Sequence, residues 1–364
     1  MGRMGRWLGL GLAAAALAGC GDRKSGQDAA VVQPDPAFAA DNQAWRVQRY
    51  QELTRPDGWT SLVGLHWLSL KAHYIGSGAD SGIRLAVGPA KMGLVSRRRS
   101  NAGPALAPDS HRGGAGLART ASPGGGLRVA PQADGGAHRR QSSGDATLAS
   151  SDGDEVWFTP EPGVALTVDG RPLVGRIRFH SDRDPQPTTI GFDDGKGLLT
   201  LIRRGDRHAL RLKHADAPSR TGFTGLDYWP LDESWRIKAR FVPNAAGKTL
   251  PIVDIVGITT EMANAGAVEF ERDGHAWRLQ AIGEPGQELF VIFADRTSGH
   301  GSYPAGRYID LPAPDANGEV TIDFNRAYNP PCAFTPFATC PLPPPENRLD
   351  LRVDAGEKNY RKPH

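Results

Sequence analysis

Cysteine, methionine and aromatic side chains are all scarce: three Cys, four Met and 7% aromatics in 364 residues. So little cysteine excludes a disulfide-dense scaffold. No Cys-x-x-Cys or His-x-x-x-His spacing occurs, so no zinc pattern stands out and no metal or cofactor is expected. The glycine runs Gly113-Gly114-Ala115-Gly116 and Pro123-Gly124-Gly125-Gly126 have no flanking strand and helix, which excludes a phosphate loop or dinucleotide fingerprint. A Gly-x-Ser-x-Gly elbow is absent as well. The one apolar run near the start, residues 8–17, is too short to cross a hydrocarbon core of about 30 Å.

A basic patch is also missing, although the net charge is +3. Residues 97–150 hold eight arginines and three aspartates with no lysine or glutamate, an excess larger than the charge of the whole chain. The remainder is net negative, so nucleic acid is not an expected partner. That same segment has no aromatic residue, no isoleucine and one valine, Val129. It cannot bury enough apolar surface to offset ordering. Two explanations stand side by side: a low-complexity loop inserted between strands, or a stretch of a GC-rich gene translated in the wrong frame. Neither gives it a function.

The N-terminus has the three parts of an export signal. Arg3 and Arg6 supply positive charge, residues 8–17 the apolar stretch, and Leu17-Ala18-Gly19-Cys20 a lipobox-like ending with Cys20 as lipid acceptor. The alternative is an ordinary signal cut near Ala18. Gly21 after the cysteine, not aspartate, points to sorting to the periplasmic face of the outer membrane. The partner there is the membrane itself, through a lipid anchor that is effectively permanent. The chain then reads as signal peptide 1–20, flexible tether 21–37, a β-rich module 38–217 carrying the atypical segment, and a β-rich module 218–364.

Within the modules, Asp41 is the expected cap of a short helix over 41–53, ended by Pro56-Asp57-Gly58. Thereafter period-two alternation and turn dipeptides dominate. Hairpins are expected at 164–179 around Asp169-Gly170, at 198–213 around Gly205-Asp206, and at 269–282 around Asp273-Gly274. In the second, Leu199 and Leu201 face inward with Leu210 and Leu212. Further strands are expected over 235–242, with Ile237, Ala239 and Phe241 inward, and over 289–294 and 320–324. No long helical pattern separates them, so the fold class is mainly β: antiparallel sandwich or barrel-like modules with a short N-terminal helix.

Candidate chemistry concentrates near the C-terminus. Strand 320–324 runs into Asn325-Arg326-Ala327-Tyr328-Asn329 and a loop stiffened by Pro330, Pro331, Pro336 and residues 341–345. Such a loop presents side chains at low ordering cost. Asp323, Asn325, Arg326, Tyr328 and Asn329 suit a carboxylate, phosphate or sugar; equally, they can satisfy the backbone of a packed loop. Asp295, Thr297, His300 and Tyr303 follow a strong apolar strand as a possible acid–base or nucleophilic set, or as an ordinary polar turn. Cys332 and Cys340, the cysteines left after Cys20, read as a disulfide in an oxidising periplasm, closing a small loop for roughly 2.5 kcal/mol. A metal pair or a reactive thiol are the alternatives. Asp254 and Glu261 are isolated carboxylates, and Trp59, His66 and Trp67 read as core or pocket lining.

Three passages carry a resemblance: Asp57-Gly58-Trp59-Thr60-Ser61-Leu62 through Leu68; Phe293-Ala294-Asp295-Arg296-Thr297-Ser298-Gly299 with Tyr303 and Gly306-Arg307-Tyr308; and Asp323-Phe324-Asn325-Arg326-Ala327-Tyr328-Asn329-Pro330-Pro331-Cys332 on through Cys340 to Glu357-Lys358. Over about residues 44–360 the chain resembles the bacterial and archaeal family called domain of unknown function 1684. It departs from the family pattern at about 96–151, where a short strand pair is expected. The resemblance implies an architecture and motifs, and no reaction. The candidate ligand-binding set is then Asp295, Thr297, Tyr303, Arg307, Asp323, Asn325, Arg326, Tyr328 and Asn329. The leading expectation is a non-enzymatic envelope lipoprotein binding a small polar or carbohydrate-like ligand, or a protein partner. The rival is an envelope hydrolase using Asp295, His300 or Asp323.

Overall fold

The computed structural model describes residues 34–99 and 154–361. Cys20, the signal peptide, most of the tether and residues 100–153 lie outside the described residues.

The helix spans Pro36–Thr54 and so begins earlier than Asp41, in the last residues read as tether. Asp35 is its cap, with a carboxylate that accepts the Ala37 N–H at 3.2 Å, and Pro36 takes the first turn, where its missing N–H costs nothing. Asp41 lies inside the helix and pairs with Arg326. The end is set by Arg55-Pro56: proline bars its predecessor from helical geometry, and Arg55 is extended at φ −55, ψ 149. Leu53 on the inner face is fully buried.

Strands before residue 215 form two sheets around one core. The six-stranded sheet has the order Leu62–Trp67, Arg207–His214, Gly197–Arg204, Thr189–Phe192, Thr167–Val168, Arg171–Pro172. The five-stranded sheet has the order Ile83–Arg84, Ala72–Gly76, Gly93–Arg99, Asp154–Pro160, Ile177–Arg178, with only its first pair parallel. Leu199, Leu201, Leu210 and Leu212 of the first sheet pack with Ile75, Val95, Val156 and Phe158 of the second. Arg97, Arg98 and Arg99, grouped by composition with the segment that follows, instead end a strand. They pair in register with Val156, Glu155 and Asp154, and Arg97 lies 3.7 Å from Asp154. The hairpin over 164–179 is far shorter than its alternation implied, two residues a side across Asp169-Gly170.

Strands after residue 235 form the third sheet, in the order Arg307–Leu311, Leu289–Phe293, His275–Ile282, Thr259–Arg272, Arg236–Pro243, Glu319–Asp323, with Thr249–Val253 also on Thr259–Arg272. The Asp273-Gly274 turn has both residues at positive φ (54° and 73°), the geometry a two-residue hairpin needs. One face buries Val268, Leu279, Val291, Ile309, Ile322 and Phe324, closed by Leu349, Leu351 and Val353 from the C-terminal segment. The opposite face carries a separate apolar cluster of Leu250, Ile252, Ile282, Phe290, Ile292 and Tyr308. The architecture is mainly β and antiparallel with one short N-terminal helix, as expected.

Candidate functional site

Arg307, at the start of the strand Arg307–Leu311, is a fully buried guanidinium. Its Nη2 donates to Asp295 Oδ1 at 3.1 Å and to the Val353 carbonyl at 3.0 Å, while Nη1 donates to the Ala355 carbonyl. Asp295 Oδ2 accepts the N–H groups of Thr297 (3.0 Å) and Val353 (2.9 Å). Thr297 Oγ1 donates to Asp295 Oδ1 at 3.0 Å and lies 2.8 Å from Ser302 Oγ, which also accepts the Trp229 indole N–H at 3.0 Å. Arg307, Thr297 and Ser302 are fully buried. Burial holds the guanidinium below its ordinary pKa, against the opposing pull of Asp295. The bonds to Val353 and Ala355 tie this turn to the C-terminal segment, and the others hold the turn itself and Trp229. His300 lies outside this knot, exposed, with Nδ1 3.3 Å from the Ser298 carbonyl oxygen.

The C-terminal passage is knotted in the same way. Asp323 Oδ1 accepts both the backbone N–H and the side-chain amide of Asn325 at 3.0 Å, and Asn325 Nδ2 also donates to the Asp232 carbonyl at 2.8 Å. Asn329 donates its backbone N–H to Glu357 Oε2 at 2.7 Å and its side-chain amide to the Lys358 carbonyl at 2.7 Å. Glu357 is fully buried and accepts Arg49 Nε from the helix at 2.9 Å. Arg326, half-exposed, pairs with Asp41. Tyr303 packs beside Cys332 and Phe334, and burial raises its hydroxyl pKa. A disulfide joins Cys332 to Cys340, with Cα atoms 6.1 Å apart.

A cavity of about 420 Å³ lies elsewhere, between the outer faces of two sheets. One wall is the six-stranded sheet on the side away from its leucine core. There the alternate row Thr200, Ile202, Arg204 runs beside Ala209 and Arg211, paired Thr200↔Arg211 and Ile202↔Ala209. Arg204 and Arg211 are almost completely buried, and with Arg183 they line the cavity. The facing wall is the second apolar cluster of the third sheet, Ile252, Ile282, Phe290 and Tyr308, with Met262. The helix closes one side with Trp45, Arg49 and Glu52, and the disulfide loop closes another with Pro331, Ala338, Thr339, Cys340 and Pro341.

Two polar arrangements are fixed within this cavity. Arg204 donates from Nε to Thr339 Oγ1 at 2.9 Å and from Nη1 to Asp182 Oδ2 at 2.6 Å, which sets the plane of its guanidinium. On the opposite wall Asp310 Oδ2 accepts the Tyr328 hydroxyl at 3.0 Å, and the Arg49 guanidinium lies 4.6 Å from the Tyr328 ring centre. Asp310 is exposed to solvent, yet protein surrounds much of its carboxyl. That desolvation, with Glu288 and Glu52 nearby, pushes its carboxyl up to about 6 against the opposing effects of Tyr328 and Arg49. Arg211, desolvated beside Trp59, is held down at about 10.

Of the nine candidate ligand-binding residues, Tyr328 lines the cavity and the other eight do not. Asp295, Asp323 and Arg326 are therefore not brought together on this cavity. Asp254 and Glu261 do line the cavity, as does Trp59; Asp254 Oδ1 is committed to the Val256 and Ile258 N–H groups at 3.0 and 2.9 Å. His66 lies off it, with its pKa lowered by burial. The residues that sequence reasoning passed over are Arg49, Arg183, Arg204, Arg211 and Asp310. A signal existed in Ile202 and Ala209, which interrupt a row otherwise read as solvent-facing. No group of three or more His, Cys, Asp or Glu side chains among the described residues is placed to hold a metal ion.

An antiparallel β protein with a cavity between sheets is the class that the fold defines. The family follows from the sequence: the chain belongs to the family described as protein of unknown function (DUF1684), whose model matches residues 221–358. Those residues supply the third sheet, the disulfide loop and Glu357, whereas the helix and the arginine wall lie outside them. A solved structure of an uncharacterized protein of Haloarcula marismortui is 32% identical, over 38% of this chain and 78% of that one, with a TM-score of 0.33. No curated protein matches the chain.

Two outcomes follow from this geometry. Asp295→Ala strands the buried Arg307 charge and is expected to lower stability by about 3–5 kcal/mol; a melting temperature equal to the wild type's would show that the pair does not hold the fold. Asp310 keeps its proton to higher pH in the folded chain than at its ordinary 3.8. Its contribution is thus fully present below pH 3.8 and is lost as pH rises through about 6. Denaturant unfolding of wild type against Asp310→Asn between pH 4 and 7 checks this. Relative to the variant, wild-type stability should fall across that window, and parallel curves would contradict the assignment.

Proposed function

We propose that this is a small-ligand-binding protein of the cell envelope, anchored through lipid on Cys20, whose site is the cavity between the six-stranded and third sheets. The observation that carries the reading is the cavity itself. Its volume falls within the roughly 300–1,000 Å³ typical of small-molecule sites, and it combines an apolar wall with a few fixed polar groups. The disulfide loop and Tyr328 contribute to it, so the passage singled out as a rigid presenting loop serves by walling a pocket. Of the eight candidates outside the cavity, Asn329 supports that wall through Glu357 and Arg49. A hydrolase remains the second reading because of Asp310, a solvent-reachable carboxyl raised to about 6 and so suited to proton transfer near neutral pH. It takes the place of Asp295, His300 and Asp323 in that reading.

The fluorescent probe N-phenyl-1-naphthylamine should bind the wild type saturably, one per chain. Ala263→Trp, which puts an indole into the cavity, should melt normally and lose that binding. Equal binding by both proteins would show that the probe and the cavity are unrelated. For the anchor, Cys20→Ser should move the protein from the membrane fraction to the soluble one. A variant that still pellets after a high-salt wash would refute lipidation at Cys20.

A further inference from the structure

Resting on that cavity reading, we propose that the ligand is an amphiphilic organic anion: a carboxylate or phosphate monoester whose charged end meets Arg204 and Arg183 on the arginine-bearing wall while its apolar body lies on Ile282, Phe290 and Tyr308. Three observations carry this choice.

The first is the arginine-bearing wall. Arg204 and Arg211 stand on the same face of adjacent antiparallel strands, with Arg211 opposite Thr200, and Arg183 reaches the same cavity from the loop before them. A guanidinium carries five N–H donors in a planar fork, so bonds along one edge leave the group able to meet a planar or tetrahedral oxyanion. The bonds from Arg204 to Thr339 and Asp182 fix its orientation before any ligand arrives, which lowers the ordering cost of binding.

The second is the separation of charge. Arg204 and Arg211 stand on the six-stranded sheet, whereas Asp310, Asp254 and Glu261 come from the strands and turns of the third sheet, so the two signs of charge are carried by different walls. A cation is not favoured at Asp310, where Tyr328 and Arg49 already serve the carboxylate.

The third is the facing apolar wall. Ile282, Phe290 and Tyr308 belong to a cluster on a sheet face that the main core does not cover. Phe290 and Tyr308 rings meet edge to face at 5.0 Å, which stiffens that wall. A free inorganic anion would leave this surface wet, whereas an acyl or aryl body would cover it.

Displacement of N-phenyl-1-naphthylamine tests this with four probes sharing one chain length: octanoate, octyl phosphate, octanol and octylamine. The two anions should displace the dye at about tenfold or more lower concentration than octanol, the factor that one charge-assisted hydrogen bond provides. Whichever of the two is stronger identifies the headgroup as carboxylate or phosphate. Arg204→Gln should bring both anions to the level of octanol while the dye still binds. Arg183→Gln, at an exposed position, should reduce the preference even if Arg204→Gln folds poorly. Octanol matching the anions, octylamine displacing best, or a preference unchanged in Arg183→Gln would each overturn the inference and leave the cavity reading intact. Failure of the cavity reading looks different: the dye would bind Ala263→Trp as well as it binds the wild type.

Discussion

The ion pair between Arg49 and Glu357 joins the first described element to nearly the last, 308 residues apart. Glu357 is fully buried, so its charge is tolerable only because Arg49 Nε and the Asn329 N–H both donate to it. Gly356 makes the approach possible: at φ +79°, it passes a chain where a Cβ would come 2.5 Å from the Ala327 carbonyl oxygen. Burial works against the charge of Arg49, and Glu357, Tyr328 and Tyr228 together outweigh it. The same guanidinium donates from Nη2 to the Asn329 carbonyl at 2.9 Å and lies over the Tyr328 ring. One contact thus seats the helix, pins the start of the disulfide loop and positions a wall of the cavity.

From that constraint the layout of polar groups becomes intelligible. Two buried carboxylates, Asp295 and Glu357, are each met by an arginine, Arg307 from the neighbouring strand and Arg49 from the distant helix, and by backbone N–H groups. Both sit beside the C-terminal segment, which has no regular strand ladder to satisfy its backbone. Asp310 differs. Its partner is a tyrosine hydroxyl, solvent reaches it, and its proton is held to about pH 6. The contrast separates carboxylates that hold the chain together from one that lines the cavity, although all three lie in strongly patterned sequence.

The cavity exists because two sheets each have a second buried face. In the Gly197–Arg204 and Arg207–His214 pair the leucine row builds the core of the N-terminal sheets, and the alternate row with Arg204 and Arg211 is buried as well, against the helix and the disulfide loop. In the third sheet Leu289, Val291 and Phe293 face one core, while Phe290 and Ile292 face the other side. Strands buried on both faces bring their intervening residues into the interior, and where those residues do not fill the gap a pocket remains.

The sequence by itself determined what depends on neighbours along the chain. Period-two alternation located the hairpins at Gly205-Asp206 and Asp273-Gly274 and the inward rows of leucine, because side-chain direction in a strand alternates whatever the surroundings. The pairing of Cys332 with Cys340 was legible from their spacing, and the C-terminal passage from its motif. The helix start was misplaced because Asp35 and Asp41 are equally good caps by type, and only Pro36 and the packing of Phe38 choose between them. Tertiary structure alone decided which polar residues line a pocket. Arg204, Arg211 and Asp310 occupy positions that alternation assigns to solvent, and only the docking of another layer converts such a face into a cavity wall. Conversely, Arg307, Asp295 and Asn329 look like ligand-binding groups in sequence, because a side chain that satisfies buried backbone has the same donors and acceptors as one that grips a ligand.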